Sequence, residues 1–241
     1  MKIAQVSDLH LYDGLAKHFQ INSEKNVETI FNDIQIENVD LIVFTGDLGS
    51  SKGLEILKKK LMELDKEYLV VLGNHDNIDL LIEYNLISNI KSTEQIISFS
   101  DCNVILVNSS NGFINDAQIE MITQNIELNK QNILFSHFPL IETNKTVLDR
   151  ELGVNNNNQN YYGFLDKKLD IFTGHYHCAN EMQLNNIRQI ICPAAIMQIN
   201  EKDNKIITES FNFGYNVIEV KKNKINYQTK MFPGNGVNKV W

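Results

Sequence analysis

The sequence predicts a layered α/β fold. Short apolar runs alternate with segments of helical periodicity, and several of those runs are unbroken, as in strands buried on both faces. Five of the runs also lead directly into side chains able to bind a metal. Strands are expected at Ile3–Val6, Leu41–Thr45, Tyr68–Leu72, Val104–Val107, Ile133–Phe135, Ile171–Thr173 and Ile190–Cys192. The first helix is expected over Ser23–Glu37, with Val27, Ile30, Phe31 and Ile34 on one stripe. A second covers Leu54–Leu64, and a third covers Asp116–Leu128 with Asp116 as its N-cap. Tyr215–Val220 and Lys224–Gln228, separated by Lys221-Lys222-Asn223, read as a terminal β-hairpin around 215–228. The polar stretch Glu142–Gln159, with its Asn155–Asn158 patch, reads as a surface loop near the site.

At 241 residues the chain is long enough for one large domain, 1–241, with a substantial core. Its formal net charge of −8 disfavours nucleic acid as a partner, since gripping that backbone needs basic surface. A small phosphorylated substrate stays compatible, because a bound metal can reverse the local potential. Cys102, Cys178 and Cys192 have no disulfide-like spacing, which points to a reducing compartment. Neither the start of the chain nor any later run is apolar enough for a signal peptide or a membrane span, so the expected location is cytoplasmic.

The chemistry lies at the strand ends. Ile3–Val6 is followed by Ser7-Asp8-Leu9-His10, Leu41–Thr45 by Gly46-Asp47, and Tyr68–Leu72 by Gly73-Asn74-His75-Asp76. Ile133–Phe135 is followed by Ser136-His137, and Ile171–Thr173 by Gly174-His175-Tyr176-His177. Open α/β sheets place ligands outside the carboxyl ends of their strands, so these sets can converge. Asp8 with His10, and His175 with His177, are two apart, which in extended backbone points each pair to one face. Gly46, Gly73 and Gly174 each precede a candidate ligand and permit sharp turns and close packing. Nitrogen and oxygen donors without thiolate suit manganese, iron or zinc better than calcium. Taken singly, His137 reads as a packed histidine and Asp8, Asp47 or Asp76 as a turn or cap. Five such coincidences in this order are far rarer than any one of them.

The ordered set resembles the calcineurin-like metallophosphoesterases. That resemblance implies central β-sheets in a sandwich flanked by helices, with a dinuclear metal site at the strand ends. It places Asp8, His10, Asp47 and His177 around one metal and Asp47, Asn74, His137 and His175 around the other, with Asp47 bridging. His75 is implied as the phosphate contact and leaving-group acid, oriented by Asp76, with the Asn74 N–H as a further phosphate contact. Two metal ions about 3.5–4 Å apart can clamp an in-line displacement at phosphorus, and a water bridging them is acidified towards hydroxide. Manganese or iron is the expected pair, with zinc as an alternative. His18 and Asp13 match no ligand position and are expected at the rim or in solvent.

Within that superfamily the opening Lys2–His10 and the segments Gln189–Pro193 and Phe213–Glu219 are most similar to bacterial class III cyclic-nucleotide phosphodiesterases. The expected substrate is therefore a small phosphodiester, with 3′,5′-cyclic nucleotides leading. Phosphomonoesters, glycerophosphodiesters and nucleic-acid cleavage at the same metals are the alternatives, and a non-enzymatic scaffold is the reading from another class. A homodimer is compatible with the sequence. Phe138, Tyr161, Tyr162 or Tyr176 could offer a face for a base.

Overall fold

The central strands alternate between two cores, which is why their sequences read as unbroken apolar runs. Ile3, Leu41 and Val43 enter one core, while their neighbours Ala4, Ile42 and Phe44 enter another. Across the molecule Val104 and Leu106 share the first core, and Ile105 and Val107 belong to a third. The computed structural model describes residues 1–143, 146–153, 167–222 and 224–239. Asn155–Asn158, Gln159, Tyr161, Tyr162, Asn223 and Trp241 lie outside the described residues.

In chain order the first half contains β1 (Lys2–Val6), α1 (Gly14–His18), α2 (Ser23–Glu37), β2 (Leu41–Thr45), α3 (Ser51–Leu64), β3 (Tyr68–Val71) and α4 (Ile78–Glu83). The middle contains β4 (Gln95–Ser98), β5 (Cys102–Leu106), α5 (Asp116–Asn125), β6 (Gln131–Phe135), α6 (Thr146–Leu152) and β7 (Leu169–Thr173). The remaining strands are β8 (Asn180–Leu184), β9 (Ile187–Ile191), β10 (Gln198–Lys202), β11 (Lys205–Ser210), β12 (Phe213–Lys221) and β13 (Lys224–Phe232).

One sheet has the order β13-β12-β1-β2-β3 and the other β4-β5-β6-β7-β9-β8. β1, β2 and β3 are parallel, as are β5, β6, β7 and β9, so their carboxyl ends reach the same end of the molecule. Antiparallel strands β13, β4 and β8 form three of the four edges and the parallel β3 the other, and the β12–β13 hairpin is longer at both ends than its apolar pattern predicts. The two sheets pack face to face through Ile3, Val43, Val104, Phe135 and Phe172. Helices α2 and α3 cover the outer face of the first sheet through Ile30, Ile34, Leu57 and Leu61, and α5 covers that of the second through Ile119 and Ile122. The result is the helix–sheet–sheet–helix sandwich that the resemblance implies.

Several boundaries differ from expectation. α5 is capped by Asn115 rather than Asp116, because Asn115 and Gln118 exchange side-chain and backbone bonds in a capping box. It also stops at Asn125, short of Leu128. The stretch expected as loop from Glu142 contains α6. β8 and the β10–β11 pair escaped sequence reading, being short strands in which polar residues break up the apolar ones. Beneath the carboxyl ends, Gln5 joins the two sheets: its Nε2 donates to Thr45 Oγ1 at 3.2 Å and to Thr173 O at 2.9 Å. Asn216 Nδ2 in turn donates to Gln5 Oε1 at 3.0 Å, so this buried polar group is satisfied and fixes β1 against β7. Cys102, Cys178 and Cys192 are buried and form no disulfide. Among the described residues no helix is long and apolar enough to cross a membrane.

Candidate metal centre

β1 ends at Val6 and the chain turns at once. Asp8 and His10 adopt left-handed backbone, with φ of 54° and 43°. Asp47 after β2 (φ 56°), and His175 and His177 after β7 (φ 68° and 46°), do the same. This region is sparsely populated for residues bearing a Cβ, at a cost on the order of 1–3 kcal/mol each. The extended pairing expected for Asp8 with His10 and for His175 with His177 is therefore wrong. Past the strand ends the loops pair with one another instead, with Asp8 N–H on Gly46 O at 3.0 Å and His10 N–H on Asp47 O at 2.9 Å. Close packing requires glycine at Gly46 and at Gly174. Gly46 has φ 94°, and a Cβ there would lie 2.6 Å from His137 Nδ1. A Cβ on Gly174 would lie 1.8 Å from Ser7 Oγ.

These turns bring the predicted donors together in two adjacent groups, Asp8–His10–His177 and Asp47–His137–His175. In the first, His177 Nε2 lies 3.3 Å from both Asp8 Oδ1 and His10 Nε2. In the second, His137 Nε2 lies 3.0 Å from Asn74 Oδ1, 3.1 Å from His175 Nδ1 and 3.4 Å from Asp47 Oδ2. The same Asp47 Oδ2 is 3.6 Å from His10 Nε2, so it faces both groups. Every donor except Asn74 and His175 is buried; His175 is half-buried and Asn74 is exposed.

The other ring nitrogens set the tautomers. His137 Nδ1–H donates to Thr45 O at 2.7 Å, which leaves Nε2 as a bare lone pair. His175 Nε2–H donates to Leu152 O at 3.1 Å, which leaves Nδ1 bare. His10 Nδ1 lies 2.5 Å from Asp13 Oδ2, which directs Nε2 into the first group. Nitrogen and oxygen lone pairs of these rings and carboxylates thus converge, and Asp8 Oδ1 is buried without a hydrogen-bond partner. Unpaired acceptors of this kind are costly unless a cation joins them, so the donor set fits a pair of metal ions with outer partners in place.

The electrostatics of the metal-free chain follow from the same contacts. Burial opposes ionisation of Asp8 and Asp47, yet His177 and His137 respectively hold both carboxyls well below the carboxylate range. Burial also opposes protonation of His10 and His137. The Asp13 bond and Asp47 nevertheless raise His10 to about 9, and Asp47 raises His137 to about 9. His175 is pushed down to about 3 by burial and by neighbouring His137. A proton on His137 fills part of the role that a metal would take.

Asn74 and His75 are exposed at the mouth, and His75 N–H donates to Asp47 Oδ1 at 2.9 Å. Asp76 was expected to orient the His75 ring, but no hydrogen bond among the described residues joins them. Its carboxylate accepts the N–H groups of Asp47, Leu48 and Gly73, each at 2.8 Å, and so ties the β2 and β3 loops together. Burial and the nearby Asp47 push Asp76 up to about 6. A cleft of about 420 Å³ opens over the donors, with Leu15, Leu152 and Ile199 on its wall. Tyr176 is buried with its hydroxyl on Asp149, and Phe138 packs against the His175 ring; neither lines the cleft. His18 is exposed, as expected. Asp13 is not a solvent or rim bystander: it caps α1 through Ala16 N–H and holds His10. An Asp three residues after a ligand and directly before Gly14 was the available signal.

Comparison with known proteins agrees with this geometry. The chain is 27% identical over 210 residues to a probable cyclic nucleotide phosphodiesterase of Ruthia magnifica, covering 82% of this chain and 87% of the relative. A probable cyclic nucleotide phosphodiesterase of Coxiella burnetii is 28% identical over 234 residues, covering 89% and 91%. In fold it is similar to a dimetal phosphatase from Danio rerio, with a TM-score of 0.71 at 9% identity over 99% of this chain and 98% of that one. The calcineurin-like phosphoesterase family description matches residues 1–179, which carry every donor of both groups. The chain belongs to the calcineurin-like phosphoesterase family.

Proposed function

We propose that this protein is a metal-dependent phosphodiesterase acting on a small phosphodiester, with 3′,5′-cyclic nucleotides as the leading substrate. The carrying observation is the cleft. Its described lining contains Asp13 and Asp47 but no lysine or arginine, and Leu15, Leu152 and Ile199 form an apolar wall. A phosphomonoester carries close to two negative charges near neutral pH and a diester one. With no lysine or arginine to add to the charge of the metals and of a protonated His75, the cleft favours the monoanion, and an apolar wall suits a nucleoside over bare phosphate. The names given to the two bacterial relatives support the same substrate.

In this proposal Asp8, His10, Asp47 and His177 hold one metal, and Asp47, Asn74, His137 and His175 hold the other. Manganese or iron is the preferred pair and zinc a possible substitute for this donor set. Bound metals supply Lewis-acid polarisation of the phosphoryl group and a water of lowered pKa at neutral pH. The His75 ring, exposed at the mouth with its centroid 5.5 Å from that of His10, hands a proton to the leaving oxygen. Asn74 and His75 also contact the phosphate, and Asp76 keeps their loop in register with that of Asp47. The net charge of −8 argues against nucleic acid as substrate. A cytoplasmic location and a homodimer belong to the same proposal.

The test is a manganese-supplemented hydrolysis screen. It covers cyclic AMP, cyclic GMP, 2′,3′-cyclic nucleotides, glycerophosphodiesters, a nitrophenyl monoester and single-stranded DNA. Turnover of the cyclic nucleotides above the others is expected. Activity confined to the monoester rejects the substrate assignment, and absence of both turnover and bound metal favours a scaffold.

A further inference from the structure

Helix α6 touches the centre in two places, and both ties run to consecutive residues of the loop after β7. Leu152, its last residue, accepts the His175 Nε2–H at 3.1 Å. The last carbonyls of a helix lack partners within it and carry the negative end of its dipole, so this one is a strong acceptor awaiting a donor. One turn earlier, Asp149 Oδ1 accepts the Tyr176 hydroxyl at 3.0 Å. The same carboxylate takes Thr143 Oγ1–H and Thr143 N–H, each at 2.9 Å. The Tyr176 ring is buried, so this hydroxyl bond is shielded from water. A glycine follows the helix, and a Cβ at Gly153 would lie 2.1 Å from Asp149 O.

We propose that Asp149 is a positioning residue for the second metal. Gripped by Tyr176 and Thr143, it seats α6 so that the Leu152 carbonyl fixes the Nε2–H tautomer of His175. His175 Nδ1 then joins Asp47, Asn74 and His137 as a bare donor. Among the described residues no hydrogen bond from α6 reaches the first group, whose ring tautomer at His10 is directed by Asp13 from a different element. Asp149 therefore governs occupancy of one metal position and not the other. Leu152 also stands on the cleft wall, so the same seat sets one side of the substrate space.

This inference rests on the two-metal reading, and its test separates the two. The full chain, stripped of metal, is titrated with Mn²⁺ by calorimetry, with bound metal counted by elemental analysis. The wild type is expected to take two equivalents. In Asp149→Asn the weaker association of the second equivalent should amount to roughly 10–100-fold, the usual loss on removing an outer-shell partner, while the first stays within about twofold. Tyr176→Phe, which removes one hydroxyl and retains the ring packing, should show the same pattern with a smaller loss. ¹⁵N spectra of the histidine rings should report Nε2–H for His175 in the wild type and a tautomer mixture in Asp149→Asn. Two equivalents bound as in the wild type with an unchanged His175 tautomer would overturn the role of Asp149. So would equal weakening of both equivalents in Tyr176→Phe. A wild type that takes fewer than two equivalents would reject the two-metal reading itself.

Discussion

The two donor groups share a carboxylate but are held in different ways. Asp8, His10 and His177 are buried, and the outer partner of His10 is a side chain, Asp13. His137 and His175 are steered by backbone carbonyls, those of Thr45 and Leu152, and the group includes the exposed Asn74. A side-chain partner can be removed by one substitution, whereas a carbonyl partner changes only when its element moves. The first position should therefore respond to local edits and the second to shifts of the surrounding elements.

The largest effect is expected where the distinction disappears. Asp47→Asn should release metal from both positions together and lower turnover by at least ~10³-fold, read by elemental analysis and steady-state rates. Retention of one full equivalent would show that Asp47 serves only one group. His75→Ala removes no donor of either group and keeps the backbone N–H on Asp47, so it should slow kcat by about 10²–10⁴-fold with metal content near wild type. Loss of metal in that variant would make His75 part of the centre.

Asp13→Asn sharpens the contrast directly. It should weaken the first position by about 10–100-fold and leave the second nearly unchanged, the reverse of the pattern expected for Asp149→Asn. Equal loss at both positions would mean that the groups behave as one unit.

The smallest expected effect is common to both groups. His10 and His137, one from each, are raised to about 9 in the metal-free chain. Below that pH a metal must displace a proton at each, so apparent affinity should fall by about tenfold per position for each unit of pH lost. Stability of the metal-free chain moves the other way. The contribution of a raised histidine is complete below its unfolded value of about 6.5 and is lost as pH rises through about 9. Chelated protein should thus melt lower as pH climbs from 6.5 to 9, while the rise in Tm caused by added Mn²⁺ grows. Parallel movement of the two quantities would contradict the coupling of these histidines to Asp13 and Asp47.

Much of this was legible beforehand because buried strands announce themselves. Ile3–Val6, Leu41–Thr45, Ile133–Phe135 and Ile171–Thr173 are apolar on both faces, and the polar residue ending each run falls where the sheet leaves off. Helix α6 was not legible, since its seven residues give only a short apolar stripe, Leu148 with Leu152, inside a long polar stretch. β8, β10 and β11 were missed for the related reason that polar edge strands show little hydrophobic contrast.

The donor set itself was a property of the sequence: its residue types, their order and their places after strands select nitrogen and oxygen chemistry before any coordinate is known. The tertiary structure decided how those donors meet. Asp8, His10, Asp47, His175 and His177 reach the centre through left-handed turns that two-residue spacing does not foretell. The carbonyls of Thr45 and Leu152, which choose the ring tautomers, belong to a backbone that every residue shares and that no letter of the sequence distinguishes.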